Sequence, residues 1–183
     1  MTPHPHQGLI LQCKEGDRKA QYELYKRYAK AMLNVAHRIT NSVEEAEDVL
    51  QDAFVRAFTK LDTYKGDATF GAWLKRIVVN TAINHLRSKK LDTIALEEGM
   101  DPVEEMRMPV MECGEASWKM AQIREAISSL PDGYRVVFSL YVIEGYDHGE
   151  ISLILNISEA TSKSQFSRAR KKLRQILEDQ YYV

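Results

Sequence analysis

No stretch of this chain approaches the run of about 18 apolar residues that a membrane-spanning helix needs. Its first residues, Met1-Thr-Pro-His-Pro-His-Gln, carry neither the charged nor the apolar part of a signal peptide. Cysteine is scarce. Cys13 and Cys113 lie far apart and neither belongs to a CxxC pair, the pattern of unpaired thiols in a reducing compartment. These absences predict a cytoplasmic protein without direct membrane insertion. Also missing are a Gly-rich phosphate loop, a nucleophile–base pair and a metal-ligand cluster; His4 and His6 have no further ligands at useful spacing. No enzymatic activity, cofactor or metal is expected.

The chain does have an apolar fraction of 44%, ordinary for a globular protein, and a net charge of -1 that hides a partition. Residues 1–90 hold 15 Lys/Arg against 10 Asp/Glu (+5), residues 91–117 hold 1 against 8 (-7), and residues 118–183 hold 9 against 8 (+1). The middle block also contains Gly99, Pro102, Pro109, Gly114 and four of the seven Met residues, with no sustained period. The expected fold is all-α: two small helical domains, 1–90 and 118–183, joined by an acidic flexible linker over 91–117. The C-terminal domain is expected to contain a helix-turn-helix.

That last expectation rests on Asp147 to Leu177. Asp147 with Glu150 has the form of a capping box, and Ser158 is a good N-cap for a second helix that carries Glu159 in its first turn. At 100° per residue, Ser162, Phe166, Ala169, Leu173 and Leu177 form the buried stripe of that helix. Ala160, Ser164, Arg168 and Lys171 lie opposite, with Lys163, Arg170 and Arg174 on one flank. Small and basic residues on one face allow close approach to base edges and phosphates in a major groove.

The first block reads as helical throughout. Residues 18–39 place Tyr22, Leu24, Tyr25, Tyr28, Ala29, Met32, Leu33, Ala36 and Ile39 largely at helical spacing. Ser42 and Glu45 predict a second capping box, opening a helix to about Leu61 with Val43, Ala46, Leu50, Ala53, Phe54, Ala57 and Leu61 as its core stripe. Asp48, Gln51, Asp52 and Val55 face elsewhere, an apolar side chain inside an acidic patch that hints at a docking surface. The segment 62–69 is a loop by its Gly and Asp content, and Thr69 caps the following helix. On that helix Phe70, Trp73, Leu74, Ile77, Val78 and Ala82 are expected to bury one side. Arg76, Asn80, Asn84 and Arg87 align on another, a row suited to partly unstacked bases.

Taken alone, these features leave three readings open: a protein that uses both helical blocks on nucleic acid, a transcription regulator that uses only the C-terminal pair beside a sensing or dimerisation domain, and a helical protein-binding adaptor. Three motifs in one order narrow the choice. They are Glu47-Asp-Val-Leu-Gln-Asp-Ala-Phe54, Tyr64-Lys-Gly-Asp-Ala-Thr-Phe-Gly-Ala-Trp-Leu-Lys-Arg-Ile-Val-Val-Asn80 and Ser158-Glu-Ala-Thr-Ser-Lys-Ser-Gln-Phe-Ser-Arg-Ala-Arg170. Together they closely resemble the extracytoplasmic-function group of bacterial sigma factors, minimal members of the sigma-70 family, over roughly residues 8–90 and 118–178.

The resemblance implies a factor that binds core RNA polymerase, directs it to promoters and helps melt the -10 element. It implies docking of Asp48, Gln51, Asp52 and Val55 on the clamp helices of the largest polymerase subunit. It implies contact of Tyr64, Lys65, Asp67, Thr69, Arg76, Asn80, Asn84 and Arg87 with the -10 element, and of Thr161, Lys163, Ser164, Ser167, Arg168 and Lys171 with the -35 element. Core polymerase, promoter DNA and an anti-sigma factor are the implied partners. Two departures stand out: Gly149 replaces a better helix former, at a cost of about 1 kcal/mol relative to Ala, and Gln165 stands where Arg is common.

Overall fold

The computed structural model describes residues 6–89 and 116–181. Among these residues every regular element is helical, and the chain divides into two compact units, 1–91 and 92–183.

The first unit comprises α1 (Gln7–Lys14), α2 (Arg18–Thr40), α3 (Val43–Thr59), a 3₁₀ turn (Leu61–Thr63) and α4 (Phe70–Lys89). Helices α2, α3 and α4 pack pairwise and α1 lies against α2. Asp17 opens α2 by accepting from the Lys19 and Ala20 N–H groups at 2.8 and 3.3 Å, and Asn41 closes it at φ 60°. Both are residues whose short polar side chains suit these places.

Only half of the capping box expected at Ser42 forms. Its hydroxyl accepts from the Glu45 N–H at 3.3 Å. The Glu45 carboxylate turns to α4 instead, where it pairs with Lys89 and lies 3.4 Å from His85 Nε2. Lys89 foremost holds that carboxyl below the usual carboxylate range. The pairing therefore supports the α3–α4 contact at neutral pH and is lost as pH falls through the lowered value.

The core of this unit is aliphatic, with Leu24, Ile39, Val49, Leu74, Val78 and Val79 fully buried, each worth about 1.5–3 kcal/mol relative to exposure. Two expectations change. Val43, assigned to the core, is 58% exposed. Conversely Val49, Val79, Ile83 and Leu86 are buried although no stripe included them. A helix held between two neighbours buries more than one narrow stripe, and both α3 and α4 are in that position.

The second unit comprises α5 (Ala116–Ser128), α6 (Asp132–Phe138), one π-helical turn (Ser139–Ile143), α7 (His148–Leu155) and α8 (Glu159–Tyr181). Of the expected linker, 91–117, all but Ala116 and Ser117 lies outside the described residues, and those two open α5. Helices α5, α6 and α7 all pack on α8. Arg135 is buried at the α5–α6 corner, donating to the Leu130 carbonyl at 3.2 Å and pairing with Asp132 at 2.7 Å. Along α8 the expected stripe holds at Ser162 and Ala169, both fully buried, and at the half-buried Phe166 and Leu173. Ile176, not Leu177, joins the cluster around Leu130, Phe138 and Ala169.

Candidate nucleic-acid and protein interfaces

On α3, the side away from the core presents Asp48, Gln51, Asp52 and Val55, all exposed, Val55 at 65%. The helix carries five acids (Glu44, Glu45, Glu47, Asp48, Asp52) against one base, Arg56. Carboxylates on this face repel nucleic-acid phosphates, and the exposed valine gives it an apolar point of contact.

The loop after α3 is pinned at both ends. Tyr64 donates its hydroxyl to the Ala68 carbonyl at 2.8 Å, and its ring packs on Phe70 and Trp73 at centroid distances of 5.6 and 5.5 Å. Lys14 of α1 donates to the Tyr64 carbonyl at 3.2 Å. Thr69 caps α4, accepting from the Ala72 N–H at 3.3 Å. Between these anchors Gly66 turns the chain at φ 86°, which leaves Lys65 and Asp67 exposed. Tyr64, half-buried and with its hydroxyl engaged, shapes the loop; burial pushes its phenol above the ordinary value.

The α4 row survives folding. Arg76, Asn80 and Asn84 are exposed and Arg87 is half-buried. Trp73, assigned to the buried side from sequence, is only half-buried. Its position, seven residues before Asn80 and eleven before Asn84, puts it within about 20° of both on the helix wheel. Helical phase was the signal that would have found it. Together they make an indole edge followed by amide and guanidinium groups, able to stack on a base and bond its edge.

In the second unit the start of α8 is fixed by caps and rings. Asp147 accepts from the Glu150 N–H at 2.7 Å while Glu150 accepts from the Asp147 N–H at 2.9 Å, the complete capping box. Gly149 has a local reason: a Cβ there would sit 3.2 Å from the capping carboxylate oxygen of Asp147. Asn156 closes α7 at φ 55°, and Ser158 opens α8 by accepting from the Thr161 N–H at 3.0 Å. His148 then ties the pair together. Its Nδ1 lies 2.9 Å from the buried Ser162 hydroxyl, and its ring stacks on Tyr141 at 4.4 Å and meets Phe166 edge-on at 5.6 Å.

Burial foremost, with Lys163 nearby, lowers the His148 pKa below its ordinary value, partly offset by Glu159 and Asp147. The unfolded chain therefore binds the proton more readily. The contribution of this clamp is complete above the ordinary value of about 6.5 and declines as pH falls through the lowered one. Thermal unfolding of the whole chain should show a midpoint that drops between about pH 7 and 5, with a smaller drop for His148→Gln. An equal drop in both proteins would contradict this role for His148.

The six α8 candidates separate by environment. Lys163 and Lys171 are exposed, Lys163 paired with Glu159 at 2.7 Å. Thr161, Ser164, Ser167 and Arg168 are half-buried. The Thr161 hydroxyl sits 2.8 Å from that of Ser158, and the Ser164 hydroxyl donates to the Thr161 carbonyl at 3.0 Å, which ties both to the helix start. Gln165, the second departure, faces Gly133 at the start of α6 and belongs to the packing of the unit.

Comparison with known proteins matches both units. The sigma-70 region 2 family model covers residues 24–91, and the sigma-70 region 4 model covers 120–173. The chain is 33% identical over 178 residues to the ECF RNA polymerase sigma factor SigW of Bacillus subtilis, covering 93% of this chain and 95% of that protein. It is likewise 33% identical over 175 residues to the ECF RNA polymerase sigma-E factor of Escherichia coli, at 90% of each. Among solved structures, CnrH in complex with the cytosolic domain of CnrY superposes with a TM-score of 0.53 at 25% identity, covering 93% of this chain and 96% of that one. On two matched family regions in order and near-complete alignment to such relatives, the chain belongs to the sigma-70 family, in its extracytoplasmic-function group.

Proposed function

We propose a division of labour among three faces of this promoter-specific transcription initiation factor. The acidic face of α3, Asp48, Gln51, Asp52 and Val55, docks on the clamp helices of the largest subunit of core RNA polymerase. The pinned loop with Lys65, Asp67 and Thr69, shaped by Tyr64, and the α4 row of Arg76, Asn80, Asn84 and Arg87 take up the separated -10 strand, with Trp73 as a stacking surface. The α8 face of Thr161, Lys163, Ser164, Ser167, Arg168 and Lys171 reads the -35 element.

The observation that carries this reading is one unit presenting two opposite chemistries. Five acids against one base on α3 stand beside an exposed Arg/Asn row on α4. A protein that must hold polymerase and unpaired DNA at once needs both. It acts by binding rather than catalysis: duplex contacts fix register, and captured bases offset the few kcal/mol of unstacking. No described helix is long and apolar enough to cross a membrane, and the working site is the cytoplasm. An anti-sigma factor completes the set of partners. Tyr141, Val142, Ile143 and Leu153 leave apolar surface exposed in the second unit, Leu153 at 84%, of the kind such a protein covers.

The -35 assignment is tested by separating reading from attraction. Loss of a side chain that reaches a base edge costs about 1–3 kcal/mol and relaxes preference at one position. Loss of a phosphate contact weakens all sequences alike and lowers the salt slope by about one unit. Arg168→Ala should change -35 specificity, and Arg174→Ala only affinity, when both are bound to single-base -35 variants at two salt concentrations. An even loss across all variants for Arg168→Ala makes it another phosphate contact.

A further inference from the structure

The most strongly charged helix in the first unit is α2, which none of the three faces above includes. It carries six bases (Arg18, Lys19, Lys26, Arg27, Lys30, Arg38) against one acid, Glu23. Its buried residues, among them Leu24, Val35 and Ile39, occupy one side. At 100° per residue Lys19, Lys26 and Lys30 fall within about 40° of one another on the opposite side, and all three are exposed. No ion pair engages Lys19 or Lys30 among the described residues.

Tyr22 stands in this row, 60% exposed, with the Lys26 ammonium 4.8 Å from its ring centroid and that lysine held by Glu23 at 2.8 Å. The tyrosine thus presents its ring to water beside the exposed lysines. A cation row interrupted by an exposed ring is what a sequence-independent single-strand site needs, ammonium groups along the phosphates and a π-face for a base.

We infer that the outer face of α2, Lys19, Tyr22, Lys26 and Lys30, is a second track for single-stranded nucleic acid, binding the backbone without reading sequence. From Lys19 to Lys30 the helix rises about 16 Å at ~1.5 Å per residue, room for a few nucleotides of an extended single strand. The acidic α3 in the same unit gives the contrast: one face of the bundle suits protein, the other a polyanion.

The test uses the full chain and a fluorescent oligothymidylate of about 20 nucleotides, which lacks promoter elements, so the outcome does not depend on the -10 assignment. Affinity is followed between about 50 and 200 mM salt. Lys19→Ala/Lys26→Ala/Lys30→Ala, all at exposed sites, should weaken binding about tenfold or more and lower the salt slope by about 2, at ~0.7 per single-strand phosphate. Tyr22→Ala should weaken binding about tenfold with the slope unchanged. A photo-crosslinking residue in place of Tyr22 should attach to the oligonucleotide in the otherwise native chain, which keeps the test independent of the triple variant. An unchanged slope with no crosslink overturns the inference, as does a triple variant that loses core polymerase while binding the oligonucleotide normally, for the stripe would then be a protein contact.

Discussion

Asp48→Lys combined with Asp52→Lys should abolish binding to core polymerase. Both carboxylates are exposed one helical turn apart on α3, on the same side as the exposed Val55. In the proposed docking the acidic face meets a basic surface, so the reversal turns attraction into like-charge contact, which costs several kcal/mol and corresponds to a loss of more than about a hundredfold in affinity. The fold should survive, because exposed substitutions of this kind usually change stability by no more than about 0.5 kcal/mol. Co-elution with core polymerase gives the answer, with thermal unfolding as the check on folding. A well-folded double variant that binds core normally removes the docking assignment.

The second large effect is expected in DNA opening. Arg76→Ala with Asn80→Ala should lower open-complex formation about 30-fold or more, each lost hydrogen bond to an unpaired base being worth ~1–3 kcal/mol. Closed-complex binding should change little, since the α8 contacts proposed to fix register remain. Permanganate reactivity of the -10 thymines, compared with binding of the unopened duplex, separates the two. Unchanged thymine reactivity would move the melting role to other residues of the loop or helix.

Much of this was legible because local chemistry and tertiary packing agree. Asp147 with Glu150, Ser158 and Thr69 all cap the helices their sequence positions suggest. The acidic face of α3 and Arg76, Asn80 and Asn84 of the α4 row remain in water as their spacing implies. Failures arise where a third element decides. Val43 is in phase with Ala46 and Leu50 yet exposed, because periodicity assigns a face and not whether a neighbour reaches that turn. Glu45 satisfies the capping-box pattern but finds Lys89 and His85 on α4, partners far away in sequence.

Two site residues changed character for the same reason. The Tyr64 hydroxyl is engaged by a carbonyl four residues on, so the tyrosine that looked like a DNA ligand also builds the loop. Trp73 is large and apolar, and composition alone sends such a residue inside; its helical phase with Asn80 and Asn84 brings its edge out. The clamp between His148 and the buried Ser162 joins positions in different helices, and no pattern within either helix announces it.

The central claim is that this chain gives core polymerase its choice of promoter, and its most direct test is reconstitution. Core polymerase is incubated with fragmented genomic DNA with and without the chain, and the 5′ ends of the transcripts are mapped. With the chain present, starts should gather at discrete sites that share one -35 and one -10 sequence at fixed spacing, and core alone should lack them. The same scattered starts with and without the chain would contradict the account.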